Sequence, residues 1–391
     1  MDLCVAQADL ARALRLVARA APARPPTPAL GHVLLDATPG RLTLTCTDST
    51  LGLMAAVAAD VARPGRAALP ARLLEDYAAQ LPAGMLRLTG EPDRGRVRAG
   101  CGRATASLAT TDAAAFPAPP APDMATARDI DAPALRRALA RVLPAAARDD
   151  TRPVLGAVLL ALDEAGSALA AADGFRLARA RLPGLPGTPR ELLVPARAAA
   201  EAARLLAAAE TARLVVLHAG RGLWLVAGAA GLYTRLVQGR FPDTAALVPA
   251  TWRTRVTVAR AALRAALQQA ALFGADPMGA RAVVLVAAPG CLGVAAAEAA
   301  TGEVRSDLPA ELAGAPGAIA LDAHLLLDLL AGAEAPRLTL SWSGPAGALV
   351  VREADAADGD LWLLMPLHDP ALLAHRIAVA TPARADTAVA A

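Results

Sequence analysis

The chain repeats itself, and this limits what it can fold into more than any other feature. Pro28-Ala29-Leu30-Gly31-His32-Val33-Leu34-Leu35 returns as Pro153-Val154-Leu155-Gly156-Ala157-Val158-Leu159-Leu160, an offset of 125 residues. The same offset carries Thr47-Asp48 onto Ala172-Asp173, Pro70-Ala71-Arg72 onto Pro195-Ala196-Arg197, and Phe116-Pro117 onto Phe241-Pro242. A third copy is fainter: Ala282 to Val286 falls where the first strand recurs, Leu321-Asp322-Ala323-His324 near the Pro-Ala-Arg position, and Met365-Pro366 near the Phe-Pro position. The chain therefore reads as three copies of one domain, 1–124, 125–250 and 251–369, then a tail, 370–391, expected to be flexible. The period is too long for a solenoid repeat and suits a small domain.

Each copy carries the same element signals. Ala8 to Ala21, Pro133 to Leu143 and Ala259 to Leu272 place Leu and Ala at helical spacing with Arg between them. Alternating strands follow, such as His32 to Asp36 and Leu42 to Asp48, parted by the turn Pro39-Gly40. A second helix is expected after Pro70, Pro195 and Leu321, since proline suits a helix start. Further strands, for example Arg213 to Leu217, Gly222 to Ala227 and Leu232 to Val237, complete the unit. The expected class is α+β, two helices on mostly antiparallel sheet in each copy.

Composition narrows the function. The hydrophobic fraction is 55%, ample for folded cores. All 39 basic side chains are Arg, and neither Lys nor Asn occurs, which is what GC-rich codons produce. Cys4, Cys46, Cys101 and Cys291 lie far apart without a CxxC, so neither a disulfide framework nor zinc is indicated, and a reducing, cytoplasmic compartment is expected. Met1-Asp2-Leu3-Cys4 does not begin a signal peptide, and the longest uncharged run, broken by Pro289 and Gly290, is a poor membrane span. Five histidines, His32, His218, His324, His368 and His375, have no ligand spacing, and no Walker, GxSxG or HExxH motif is present. No cofactor and no catalysis are expected. Asp48 and Asp173 are repeat-equivalent, which suits turn or capping residues better than acid–base groups.

A net charge of +3 hides an asymmetry. The first-helix regions carry Arg12, Arg15, Arg19 and Arg24; Arg136, Arg137, Arg141 and Arg148; and Arg253, Arg255, Arg260 and Arg264, with almost no acid among them. One such helix would be an ordinary solvated face. Three equivalent ones, if related by rotation, form a positive surface that meets phosphates without reading bases.

Ala172-Asp173-Gly174-Phe175-Arg176-Leu177-Ala178, Leu236-Val237-Gln238-Gly239-Arg240-Phe241-Pro242-Asp243 and Leu364-Met365-Pro366-Leu367 resemble the bacterial DNA polymerase III beta subunit family, the sliding clamps. Arg24-Pro25 with Pro28-Ala29-Leu30-Gly31, and Val194-Pro195-Ala196-Arg197, also resemble it, so the likeness covers residues 1 to about 369. The resemblance implies a head-to-tail homodimer of six domains in a ring, helices inside, around duplex DNA bound without sequence preference. It implies as partners the polymerase III alpha subunit, the clamp loader and other proteins with clamp-binding motifs. DNA is then expected at Arg24, Arg72, Arg137, Arg141 and Arg197. The family's partner-peptide pocket maps onto Arg152, Leu155, Ala172, Gly174, Phe175, Arg176, Leu177, Pro242, Leu247, Met365, Pro366 and Leu367, an apolar groove with Arg at its rim. The dimer contact maps onto Arg103 and Leu108 at one edge and Leu272 with Phe273 at the other. A diverged clamp-like protein that binds partners or inhibitors without supporting replication is the alternative.

This chain departs from the family pattern in places. Phe175 stands where His is common, Leu325 where a pocket-wall tyrosine is common, and Ala106 where some members have a ring-interface phenylalanine. The first two, with Ala246 in place of a basic residue, make the expected groove more apolar. Residues continue past Met365-Pro366-Leu367 and include Ala371-Leu372-Leu373-Ala374-His375-Arg376-Ile377, a short stretch with Leu anchors.

Overall fold

The computed structural model describes residues 1–149, 151–164, 166–185, 189–217, 221–273, 281–298, 302–354 and 359–367. The tail 370–391, with His218, His368 and His375, lies outside them.

One element order runs three times. The first passage is β1 (Asp2–Ala6), α1 (Gln7–Val17), β2 (His32–Thr38), β3 (Arg41–Thr47), β4 (Leu51–Arg63), β5 (Gly65–Pro70), α2 (Ala71–Gln80), β6 (Met85–Glu91), β7 (Arg96–Cys101) and β8 (Ala104–Ala109). The second is β9 (Arg128–Asp131), α3 (Ala132–Val142), β10 (Ala157–Leu162), β11 (Ser167–Ala172), β12 (Arg176–Leu182), β13 (Arg190–Pro195), α4 (Ala196–Leu205), β14 (Thr211–Val216), β15 (Gly222–Ala227) and β16 (Ala230–Arg235). The third is β17 (Thr254–Ala259), α5 (Arg260–Ala270), β18 (Ala282–Ala288), β19 (Cys291–Glu298), β20 (Gly302–Gly314), β21 (Gly317–Asp322), α6 (Ala323–Leu330), β22 (Arg337–Trp342), β23 (Leu349–Glu353) and β24 (Leu361–Leu364). The helices and strands expected from the sequence are present. The strand expected over Leu232 to Val237 starts two residues earlier, directly after the turn at Gly228, whose φ is +57°.

The amphipathic signals explain the layers. In α1, Leu10, Leu14 and Val17 fall on one face and are buried, whereas Arg12 and Arg15 face solvent. In β1, Leu3 and Val5 alternate inward. Every pairing between named strands is antiparallel, in two twelve-stranded sheets.

Two compact units result: residues 1–136 with 197–237, and residues 137–196 with 238–391. Their boundaries fall inside the second passage. Its β9 and β14 to β16 extend the first sheet, while its β10 to β13 begin the second. The joins are β16 on β4 in the first unit and β12 on β24 in the second.

Candidate nucleic-acid interface and partner groove

The two repeat-equivalent aspartates build the same turn. Asp48 Oδ1 accepts from the N–H groups of Thr50 and Leu51 at 2.9 and 2.7 Å. Asp173 Oδ1 accepts from those of Phe175 and Arg176, both at 2.9 Å. The residue after each aspartate has a positive φ, +77° at Ser49 and +97° at Gly174, and glycine adopts this conformation with the least strain. Both aspartates thus hold backbone, as turn residues do. Burial alone would raise the Asp48 pKa. The N–H groups of Leu51 and Thr50, with the nearby Arg197 charge, outweigh it and hold the carboxyl below its usual range.

The five arginines expected at DNA have different fates. Arg24, Arg72 and Arg137 are exposed. Arg197 is exposed too, but its guanidinium pairs with Asp48 and donates to the Arg19 carbonyl at 3.2 Å. Arg141 departs from the expectation: its side chain is only 15% exposed, with Nη2 2.7 Å from Glu353 and Nη1 paired with Asp360. Its guanidinium also lies 6.0 Å from the centre of the Trp362 ring, and Trp362 Nε1 donates to its carbonyl at 3.1 Å. An arginine so held has spent its charge on carboxylates and is not presented to phosphate. A charge count along a helix could not reveal this, because the partners lie more than 200 residues away.

The expected pocket residues gather around the Asp173 turn. Phe175 and Arg176 line a hollow of about 660 Å³ together with Asp149, Asp322, Leu325 and Asp328. Arg176 was expected at a rim, yet it is buried, bonding Asp173 at 2.8 Å and Asp328 at 3.2 Å. Of the two arginines expected here, the exposed one is Arg152, whose Nη1 lies beside Gly174 and whose carbonyl accepts from Leu155 N–H at 2.9 Å. Met365 N–H donates to the Phe175 carbonyl at 2.8 Å, and Leu367 N–H to that of Ala320 at 2.9 Å. Phe175 is 67% exposed and Met365 43%, while Leu155, Leu177 and Pro366 are buried.

Pro242 lines a smaller hollow of about 230 Å³ with Ala168, Ala170 and Arg179. Directly paired residues share a sheet face, and the pairs Ala170–Arg179 and Ala172–Leu177 put Ala172 and Leu177 on that face. Leu247 is half-exposed on a short turn after Thr244. Of the expected residues, Phe175 and Arg176 thus line the larger hollow and Pro242 the smaller one. Sequence reasoning missed Asp328, which sits two turns into α6; the signal was the run Leu321 to His324, which marks the start of that helix.

At the expected dimer edges, Arg103 is exposed in the turn before β8, and Leu108 is buried within that strand. Leu272, 72% exposed, and the partly buried Phe273 follow α5.

Comparison with known proteins agrees with these features. The family described as DNA polymerase III beta subunit, N-terminal domain, matches residues 1–120, and its central domain matches residues 129–243. The beta sliding clamp of Synechococcus elongatus is 31% identical over 334 residues, 84% of this chain and 89% of that protein. That of Streptomyces coelicolor is 28% identical, covering 94% of this chain and 99% of the relative. Among solved structures, a sliding clamp from Pseudomonas aeruginosa superposes with a TM-score of 0.87 at 26% identity, over 94% of this chain and 100% of that one. The Bacillus subtilis clamp shares the fold, with a TM-score of 0.89 at 20% identity over 94% of this chain and 99% of that one. With its threefold element order and its matches over both family domains, the chain belongs to the DNA polymerase III beta subunit family, the beta sliding clamps.

Proposed function

We propose that two copies of this chain close head to tail into a ring around duplex DNA and tether the replicative polymerase for processive synthesis. One observation carries the reading: a junction made twice within the chain is left half-made at its two ends. In the first unit, β16 of the second passage pairs with the start of β4, from Thr234–Leu51 to Ala230–Ala55. In the second unit, β24 of the third passage pairs with β12, from Leu364–Arg176 to Leu361–Arg179. The same rule sends β8, the last strand of the first passage, to the start of β20. Among the described residues β8 forms a ladder only with β7, and the 302–309 half of β20 only with β19. Open strand edges of this kind invite pairing with another chain. A head-to-tail contact joins two different patches, so it can close into a ring.

The helix ends follow the same logic. After α1, Arg19 lies 3.0 Å from Glu201 of α4; after α3, Arg148 lies 3.5 Å from Asp328 of α6. By repetition Leu272 and Phe273, which follow α5, face α2 of a second copy, where Leu73 is 53% exposed. In such a ring the three domains per chain are the three passages. The exposed Arg24, Arg72 and Arg137 would meet phosphate oxygens, whose near-equivalence along the duplex permits sliding. The role is topological, without catalysis. The hollows around Phe175, Arg176 and Pro242 form the groove for peptide motifs of the polymerase, the clamp loader and other partners, which are held by apolar anchors. Tethering raises the local polymerase concentration at the primer end.

Light scattering should give a mass of twice 39.6 kDa, and the cognate polymerase with its clamp loader should lengthen its products when the chain is added. A monomer at micromolar concentration that leaves product length unchanged would reject the reading.

A further inference from the structure

The groove around Phe175 lies where the last described strand runs out. Met365 is hydrogen-bonded to Phe175, and Leu367 packs against the buried cluster of Val284, Ala295 and Ala320. The last described residues, Met365 to Leu367, therefore end beside the groove. There Phe175 and Met365, joined by a backbone hydrogen bond, are both exposed.

The rest of the chain supplies an occupant. The solved Pseudomonas aeruginosa clamp is covered in full by 94% of this chain, leaving 6% without a counterpart. The 24 residues from His368 to Ala391 match that share in length. They contain Leu372, Leu373 and Ile377 as apolar anchors, with the basic His375-Arg376 between. The hollow is complementary in charge: it presents Asp149, Asp173, Asp322 and Asp328 against Arg148 and Arg176. Arg176 is already committed to Asp173 and Asp328. Leu372 lies five positions beyond Leu367, a span of up to about 17 Å of extended chain, which easily reaches a groove that begins two residues back. A tether this short gives an effective concentration of about 1 mM.

We propose that Ala371–Ile377 occupies the groove of its own chain, laying Leu372 and Leu373 against Phe175 and Met365, so that every partner motif must displace it. This rests on the groove reading above and adds a built-in competitor to it. The competitor sets a threshold: weak motifs are excluded, and strong ones bind with reduced apparent affinity.

The test uses two fluorescent peptides, residues 368–378 of this chain and the clamp-binding segment of the cognate polymerase alpha subunit. Each is titrated by anisotropy against the full chain, the full chain with Leu372→Asp and Leu373→Asp, and that double variant with Phe175→Asp added. Phe175 is a surface side chain, so its replacement leaves the core intact. The double variant should bind both peptides about tenfold more tightly than the unaltered chain, as ~1 mM of tethered competitor with an intrinsic Kd of ~100 μM dictates. Phe175→Asp should then abolish both. Equal affinity of the unaltered chain and the double variant for the polymerase peptide, with binding still lost on Phe175→Asp, would overturn the tail's role and leave the groove standing. Polymerase-peptide binding that survives Phe175→Asp would overturn the groove, and the competitor with it.

Discussion

Arg141 separates a structural arginine from a DNA-facing one, and replacing it tests the distinction. Arg141→Met keeps a stem of similar volume over Trp362 and removes the charge. Glu353, itself buried, then loses its 2.7 Å partner, and Asp360 loses the Arg141 guanidinium. Stranding a buried charge costs about 3–5 kcal/mol. The low end applies, because Glu353 still accepts from the N–H groups of Glu334 and Ala335, and Asp360 from that of Arg181. The unit concerned, 137–196 with 238–391, has about 200 residues, for which 1 kcal/mol shifts the melting temperature by roughly 2–4 °C. Calorimetry should therefore show a transition lowered by about 6–12 °C. Adding Glu353→Gln and Asp360→Asn should recover most of it, since the loss lies in the unpaired charges rather than in a missing attraction. Binding to short linear duplex should keep its salt dependence in Arg141→Met, whereas Arg137→Ala should reduce the slope of log K against log salt by about 0.9. An Arg141→Met protein with an unchanged melting temperature and a reduced salt slope would refute the reasoning, because Arg141 would then be facing phosphate.

Two further outcomes are expected. Leu272→Asp or Leu73→Asp should weaken self-association by at least tenfold in analytical ultracentrifugation, since burying a leucine is worth about 1.5–3 kcal/mol; unaltered dissociation in both would remove α2 and the end of α5 from the contact. Asp48 has a folded-state pKa below its unfolded value, so its stabilisation is fully present above the unfolded pKa of about 3.9 and is lost as pH falls through the lower folded value. The stability gap between the unaltered chain and Asp48→Asn should thus be widest near neutral pH and close below about pH 4, as followed by urea unfolding; a gap independent of pH would deny Asp48 its charge-dependent role.

The threefold plan was legible in sequence because its markers are residues with strict backbone demands. Pro70 and Pro195 close strands before helices, and Asp48 and Asp173 fold the same turn, so residues 125 apart had to be alike. The pairing of β16 with β4 was not legible, since strand edges meet through backbone groups that every residue carries. Nor was the fate of individual arginines. Arg137 and Arg141 share a helix and a residue type, but only Arg141 meets Glu353 and Asp360, which arrive from strands and turns far along the chain. In the groove, the apolar character at Phe175 and Met365 could be read from the sequence. The burial of Arg176 could not, because it depends on Asp328 in a helix 152 residues away.

The central claim is that the chain holds DNA by enclosing it, and retention on circular and linear duplex tests this most directly. The clamp loader places labelled protein on a nicked circular plasmid, salt is raised to 0.5 M or so, where phosphate contacts alone fail, and the plasmid is then cut once. The account predicts that protein stays on the intact circle through the salt wash and leaves after the cut by sliding off the ends. Equal retention on circular and linear DNA, or loss from both at the same salt concentration, would contradict it.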